Sequence, residues 1–230
     1  MSITGIANIS EIAEQQRKPR YIAVEGPIGA GKTSLAKRLA ASMSADLVLE
    51  EVLENPFLER FYRDGQSAAL PAQMFFLFAR TRQMEDLRPS DLFATIKVSD
   101  YVFAKDNIFA ELNLSADELA LYQQVVASLN IDAPIPDLVI YLQASVDSLL
   151  NRIARRGIGF ERAINRRYLE QLTESYARYF HAYNEGPLLI VNASDIDPIN
   201  NEDDYEQLLQ QIENTTGGRH FYNPISAALA

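Results

Sequence analysis

The stretch Gly26-Pro27-Ile28-Gly29-Ala30-Gly31-Lys32-Thr33 fits the pattern G-x-x-x-x-G-K-[ST] in full. No other feature of the chain constrains its fold as much. It follows an apolar run, Tyr21-Ile22-Ala23-Val24, that reads as a buried strand, and it precedes Ser34 to Ala40, which reads as a helix. Glycines let such a loop turn its backbone N–H groups toward phosphate oxygens, and the helix N-terminus adds the positive end of its dipole. Lys32 then reaches the terminal phosphates, and the Thr33 hydroxyl is the kind of group that holds Mg²⁺. The expected ligand of Gly26 to Ser34 is therefore a nucleoside triphosphate with its metal.

Strands and helices continue to alternate after this loop. Apolar runs predict strands at Asp46–Leu49, Ala94–Val98, Leu138–Leu142 and Leu188–Val191. Asn55-Pro56 opens a short helix through Tyr62, and an apolar helix runs from Leu70 to Arg88. Ser115 and Glu118 form a capping-box pattern before the helix Leu119–Leu129, and Ser145 caps a helix that stops at Gly157. Further helices are expected over Glu161–Tyr183 and Asp204–Ile212. Five strands in this alternation imply an α/β fold, a five-stranded parallel sheet with helices on both faces. A length of 230 residues suits one such domain better than two. The expected division is an N-terminal surface extension over 1–20, the domain over 21–215 and a C-terminal tail over 216–230.

Composition narrows the function. Acidic residues outnumber basic ones 31 to 21, so the overall field repels nucleic acid and anionic membranes. With no cysteine there are no disulfides, thiolate metal sites or thiol nucleophiles. No apolar stretch approaches the roughly 20 residues of a membrane span, and a cytoplasmic soluble protein is expected.

The remaining charged groups decide what happens to the nucleotide. Glu50 and Asp100 stand at the ends of strands, where α/β folds place ligands. One carboxylate there can take the proton of an acceptor hydroxyl while the other orients the metal. Arg152, Arg155 and Arg156 crowd a helix end just before Gly157-Ile158-Gly159, a segment able to close over a phosphate. The aromatics Phe75, Phe76 and Phe78 read as core, and His181 and His220 lack any metal or triad pattern. Gln73 stands apart, because a glutamine on an apolar helix is expensive to bury unpaired and its amide matches the edge of a nucleobase.

Together these residues resemble the deoxynucleoside kinases, from about Tyr21 to Val191. Glu50-Glu51-Val52 followed by Asn55-Pro56 is similar to the family's Glu-Pro-Val segment, with Glu51 in place of proline. The resemblance implies a P-loop kinase fold with an arginine-bearing lid, Glu50 as the base on the nucleoside 5′-hydroxyl, and ATP with Mg²⁺ as donor. It implies that Tyr62 and Glu161 hold the sugar 3′-hydroxyl, that Gln73 and Arg80 read the base, and that Arg152 and Arg156 are lid arginines. Ile158 stands where a further lid arginine is expected. The family pairs an acidic residue with arginine at Asp100-Tyr101; here the arginine is Tyr101, and Lys105 or Arg155 is expected to supply the charge. Asp106 matches a family aspartate, Phe109 a stacking phenylalanine, and Asp195-Ile196-Asp197 the loop over the adenine of ATP.

The implied roles are catalysis by Glu50, Lys32, Asp100, Arg152 and Arg156, with Thr33 and Asp100 on the metal. A homodimer is implied as well. The expected acceptor is a small molecule, a purine or cytosine deoxynucleoside, since the Gln73 amide can pair with any of these bases. A monophosphate kinase of the thymidylate kinase type is the nearest alternative, and a nucleotide-switched binding protein a more distant one. The first would favour arginine where Glu50 stands. The second needs phosphate-sensing loops, and neither an Asp-x-x-Gly after a strand nor an Asn-Lys-x-Asp guanine reader is evident.

Overall fold

A computed structural model of the chain describes residues 20–88 and 95–224. The expected extension up to residue 19 and Ala94, the first residue of the third predicted strand, lie outside them. Six parallel strands form one sheet: β1 (Tyr21–Glu25), β2 (Asp46–Val48), β3 (Lys97–Ser99), β4 (Leu138–Gln143), β5 (Leu188–Asn192) and β6 (Arg219–Tyr222). Their order is β2-β3-β1-β4-β5-β6. Central strands β1 and β4 are buried along their apolar runs, as expected where helices cover both faces. Each large aliphatic side chain removed from water there contributes about 1.5–3 kcal/mol.

The sixth strand corrects the expected five. Leu188 pairs with Arg219 and Val191 with Tyr222 along the edge of the sheet. Residues Arg219, His220 and Phe221 are exposed, so no apolar run marks this strand in the sequence. An edge strand needs one partner and little burial.

The covering helices are α1 (Lys32–Met43), α2 (Leu58–Asp64), α3 (Ala69–Leu87), α4 (Lys105–Asn113), α5 (Ala116–Leu129), α6 (Val146–Arg156), α7 (Arg166–Ala182) and α8 (Glu202–Asn214). Helix α4 has no counterpart among the sequence expectations. The capping box at α5 is formed as predicted, with the Ser115 side chain accepting from Glu118 N. Gly157 ends α6 at φ 72°, and its N–H donates to Ile153 O at 3.2 Å.

The long helix expected over Glu161–Tyr183 is broken. Residues Gly159–Ala163 form a 3₁₀ turn, Ile164 is extended, and the Asn165 side chain accepts from Tyr168 N at 2.9 Å to start α7 anew. Asn55 has a similar local role: its Oδ1 accepts from Phe57 N at 3.0 Å and its Nδ2 donates to Ala72 O at 3.1 Å, so α2 starts at Leu58.

The glycines of the first loop are required by space. A Cβ on Gly26 would lie 2.6 Å from Leu142 O, and one on Gly29 would lie 2.9 Å from Leu149 O, with Gly29 also at φ 85°. The loop is thus pressed between the end of β4 and α6, at the point where the chain leaves β1 for the far edge of the sheet. Such a point is where open α/β sheets bind ligands.

Candidate active site

At the C-terminal edge of the sheet, three segments are tied together by one carboxylate. Thr33 Oγ1 donates to Asp100 Oδ2 at 2.5 Å, and Asp100 Oδ1 accepts from the Glu50 backbone N–H at 2.8 Å. Asp100 follows β3 directly, so it links the phosphate loop to the end of β2. Lys32 folds back over its own loop, its ammonium donating to Gly26 O at 2.7 Å and Pro27 O at 3.1 Å. Burial and the neighbouring positive charge of Lys105 lower Lys32 to about 8, against the pull of Glu25, Glu50 and Asp100.

Glu50 is the centre of a buried network. Arg80 donates through Nε to Glu50 Oε1 at 3.1 Å and also through Nη2, while Lys105 Nζ donates to Glu50 Oε2 at 2.6 Å. The other end of the Arg80 guanidinium donates to Asp106 Oδ1. Burial opposes the charge on Glu50, yet Lys105 and Arg80 together hold it down at about 2. Asp106 pairs directly with Arg80 but not with Lys105, and there burial outweighs Arg80 and the Tyr122 hydrogen bond and pushes its carboxyl above the ordinary value. Glu50 differs in its direct hydrogen bond to a second cation, Lys105.

Gln73 and Arg80 lie two helical turns apart on one face of α3. Gln73 Nε2 donates to the Asp106 backbone O at 2.8 Å and to Asp106 Oδ1 at 2.9 Å, and Tyr122 OH donates to Asp106 Oδ2 at 2.5 Å. The side-chain amide can point only one way, with its N–H groups on Asp106. No hydrogen bond from the described residues reaches Gln73 Oε1.

Tyr62 stacks on Phe160, with ring centroids 5.9 Å apart and planes 8° apart. Next to Phe160, Glu161 is buried and accepts from Arg156 Nε at 3.0 Å. Arg152 donates to Ala30 O at 3.3 Å and to Ala193 O, joining the phosphate loop to the segment after β5. The end of α6 and the 3₁₀ turn thus bring both proposed lid arginines and Glu161 to one rim.

Two recesses meet at Lys32, Thr33 and Glu50. The inner one is lined by Tyr62, Gln73, Phe76, Arg80, Lys105 and Phe109, and the outer one by the phosphate loop, Arg152, Arg155, Asp195 and Asp197. The family model for deoxynucleoside kinases matches residues 22–216. The chain belongs to the deoxynucleoside kinase family. It is an ATP-dependent kinase that phosphorylates deoxynucleosides.

Relatives cover nearly their whole length. A deoxyguanosine kinase of Bacillus subtilis is 36% identical over 84% of this chain and 96% of its own. A deoxyadenosine/deoxycytidine kinase of the same organism is 29% identical over 85% of this chain and 92% of its own. Among solved structures, the deoxyadenosine kinase of M. mycoides with products dCMP and dCDP superposes with a TM-score of 0.72. That match is 25% identical and spans 84% of this chain and 98% of the other.

The aromatic residues of α3 sit differently from expectation. Phe75, Phe76 and Phe78 are not a core stripe: Phe76 lines the inner recess beneath Arg80, and Phe78 is 43% exposed. Leu77 between them is the buried residue. Tyr101 is fully buried, donates to Gln83 Oε1 at 2.8 Å and brings no charge to the site. Arg155 is exposed at the outer recess, whereas Lys105 reaches Glu50. Asp195 accepts from Asn192 Nδ2 at 3.0 Å, and Asp197 accepts from the backbone of Ile199 and Asn200, so both shape the outer loop. His181 and His220 do not line either recess.

Sequence reasoning missed Glu25. This fully buried carboxylate accepts from Gly26 N at 2.8 Å, from Val102 N at 3.0 Å and from Tyr176 OH at 3.1 Å. It clasps the phosphate loop to the segment that starts α4. A charged residue closing an otherwise apolar strand, immediately before the loop, is the signal that marks it.

Proposed function

We propose that the chain transfers the γ-phosphoryl group of Mg²⁺-ATP to the 5′-hydroxyl of a purine deoxynucleoside or deoxycytidine. The meeting of the two recesses at Glu50 and Lys32 carries this reading. An acceptor in the inner recess and a triphosphate on the loop would converge where a carboxylate faces a lysine. Glu50 takes the 5′-hydroxyl proton, the oxygen attacks the γ-phosphorus, and the bond to ADP breaks. Lys32, with Arg152 and Arg156 on the rim, offsets the negative charge of the group in transit.

Thr33 and Asp100 offer two hard oxygen donors side by side, a set that suits Mg²⁺ bound chiefly by phosphates and water. When bound there, the ion would neutralise charge on the phosphate oxygens. Tyr62 and Glu161 hold the sugar, and Arg156 is within reach of both phosphate and Glu161. Asp195 and Asp197 border the nucleobase of ATP.

The fixed Gln73 amide sets what the base must offer. With its N–H groups on Asp106, it presents Oε1 as an acceptor, so the base must bring an N–H donor. The exocyclic amines of adenine, cytosine and guanine do so, as does the N3–H of thymine, and Phe109 and Phe76 provide apolar walls for the ring. A monophosphate acceptor is disfavoured, because a buried carboxylate facing a phosphate costs several kcal/mol. Exposed Phe78 on α3 and Leu121 on α5 support a homodimer packed over these helices. The need for cellular ATP supports a cytoplasmic location. Chromatography of reactions containing ATP, Mg²⁺ and each deoxynucleoside tests the reading: a 5′-monophosphate product is expected, and a 3′-monophosphate would refute it.

A further inference from the structure

Lys105 is the first residue of α4 and is 5% exposed, with its ammonium 2.6 Å from Glu50 Oε2. Glu50 Oε1 accepts twice from Arg80, whereas Oε2 accepts once, from Lys105, and keeps a lone pair. An acceptor hydroxyl that gives its proton to Glu50 therefore comes to Oε2, beside the Lys105 ammonium, and protonation there removes the charge that holds the cations. The question is which cation yields.

Arg80 is held at both ends. Its guanidinium spans Glu50 and Asp106 and lies 5.2 Å from the Phe76 ring, and it is 3% exposed. Lys105 has Glu50 as its only carboxylate partner among the described residues, and its ammonium rides on a flexible four-carbon stem. It also sits beside the phosphate loop, close enough for its charge to act on Lys32. Tyr101, next to Asp100, is uncharged and turned toward Gln83, so no cation arrives from the end of β3.

We propose that Lys105 is a further catalytic residue, which cedes Glu50 Oε2 to the acceptor hydroxyl and moves onto the γ-phosphoryl oxygens during transfer. The proposal rests on the kinase reading above. The acceptor O–H bond breaks and its proton goes to Glu50, while the oxygen forms a bond to the γ-phosphorus. The bond to the bridging oxygen breaks, and its electron pair leaves with ADP. Lys105 stays protonated throughout and balances the charge that spreads over the equatorial oxygens. Its flexible stem supplies the movement.

The test compares the unmodified chain with Lys105→Gln and Lys105→Arg, using ATP, Mg²⁺ and a deoxynucleoside that the unmodified chain phosphorylates. Glutamine keeps a hydrogen bond to Glu50 but removes the charge. Lys105→Gln is expected to lower kcat by about a hundredfold or more, as loss of one transition-state donor does, with the nucleoside KM changed less than about threefold. Lys105→Arg should recover at least about tenfold of that loss. A bisubstrate analogue, the deoxynucleoside joined to adenosine through a 5′-oligophosphate, should bind Lys105→Gln at least about tenfold more weakly while nucleoside alone binds as before.

A kcat retained within about threefold in Lys105→Gln would overturn the proposal. So would equal losses in affinity for nucleoside and bisubstrate analogue, which mark a residue that only positions Glu50. If Lys105→Gln loses thermal stability, the ratio of those two affinities, measured below its midpoint, decides between the same outcomes. Absence of turnover by the unmodified chain with every deoxynucleoside would instead overturn the kinase reading, and this proposal with it.

Discussion

Arg80 is the group on which the inner recess depends, and its replacement has a size that can be worked out. Its guanidinium joins Glu50 and Asp106, and all three side chains are at most 7% exposed. Arg80→Met would leave Asp106 with only the neutral partners Gln73 and Tyr122, and Glu50 with Lys105 alone. Removing one partner of a buried pair costs about 3–5 kcal/mol, since the partner charge stays in the low-dielectric interior. For a domain of this size each kcal/mol lowers the midpoint by roughly 2–4 °C, so a fall of about 6–20 °C is expected. Arg80→Lys keeps the charge, but one ammonium reaches one carboxylate at a time, and about half of that fall should remain. Thermal denaturation followed by circular dichroism near neutral pH measures both. A shift below about 2 °C for Arg80→Met would show that the network carries no net stability, and the argument for an immobile Arg80 would fail with it.

Other consequences concern the phosphate loop. Lys32 has a folded value of about 8, below its ordinary 10.5, so the empty site loses this charge as pH rises through 8. A bound triphosphate restores it, and ATP binding should take up protons between those two values and weaken as pH rises. Calorimetry at about pH 9 in buffers of different ionisation enthalpy measures the uptake; observed heats that do not change with the buffer's ionisation enthalpy would refute it. Gly29→Ala places a Cβ 2.9 Å from Leu149 O at a φ of 85°. Gly29 lines both recesses, but its backbone belongs to the loop that holds the phosphates, so the change should weaken ATP binding at least about tenfold and nucleoside binding less. Equal loss of both ligands by titration would show that the two recesses are not separable.

The parts of this fold that the sequence reveals are those where burial is heavy. Val24 and Ile140 lie in apolar runs because helices cover both faces of their strands, and Gly29 is glycine because Leu149 O leaves no space. The edge strand Arg219–Tyr222 is hidden for the opposite reason: its side chains face solvent and carry no pattern. The break at Ile164-Asn165 depends on one side-chain cap inside an amphipathic stretch, a signal too local to outweigh the periodicity around it.

In the site, Gln73 was legible because an unpaired amide on an apolar helix demands a partner, and Asp106 is that partner. The ion pairs of Glu50 were not legible from pattern. Arg80 is 30 residues away and Lys105 is 55, and only the packing of α3 and α4 over the sheet edge brings them to one carboxylate. The resemblance of Asp100-Tyr101 to an acid–arginine pair pointed to a missing charge. Of the two candidates, Lys105 touches Glu50, and Arg155 is exposed at the rim.

The central claim, that Glu50 serves a neutral hydroxyl acceptor beside the phosphate loop, is tested most directly by one coupled assay. It sets deoxyadenosine, deoxyguanosine, deoxycytidine and thymidine against their 5′-monophosphates, with ATP and Mg²⁺, for the unmodified chain and Glu50→Gln. Turnover of a purine deoxynucleoside or deoxycytidine is expected, lost by about a hundredfold or more in Glu50→Gln and absent with every monophosphate. Turnover of a monophosphate in preference to all four nucleosides, or full activity in Glu50→Gln, would contradict it.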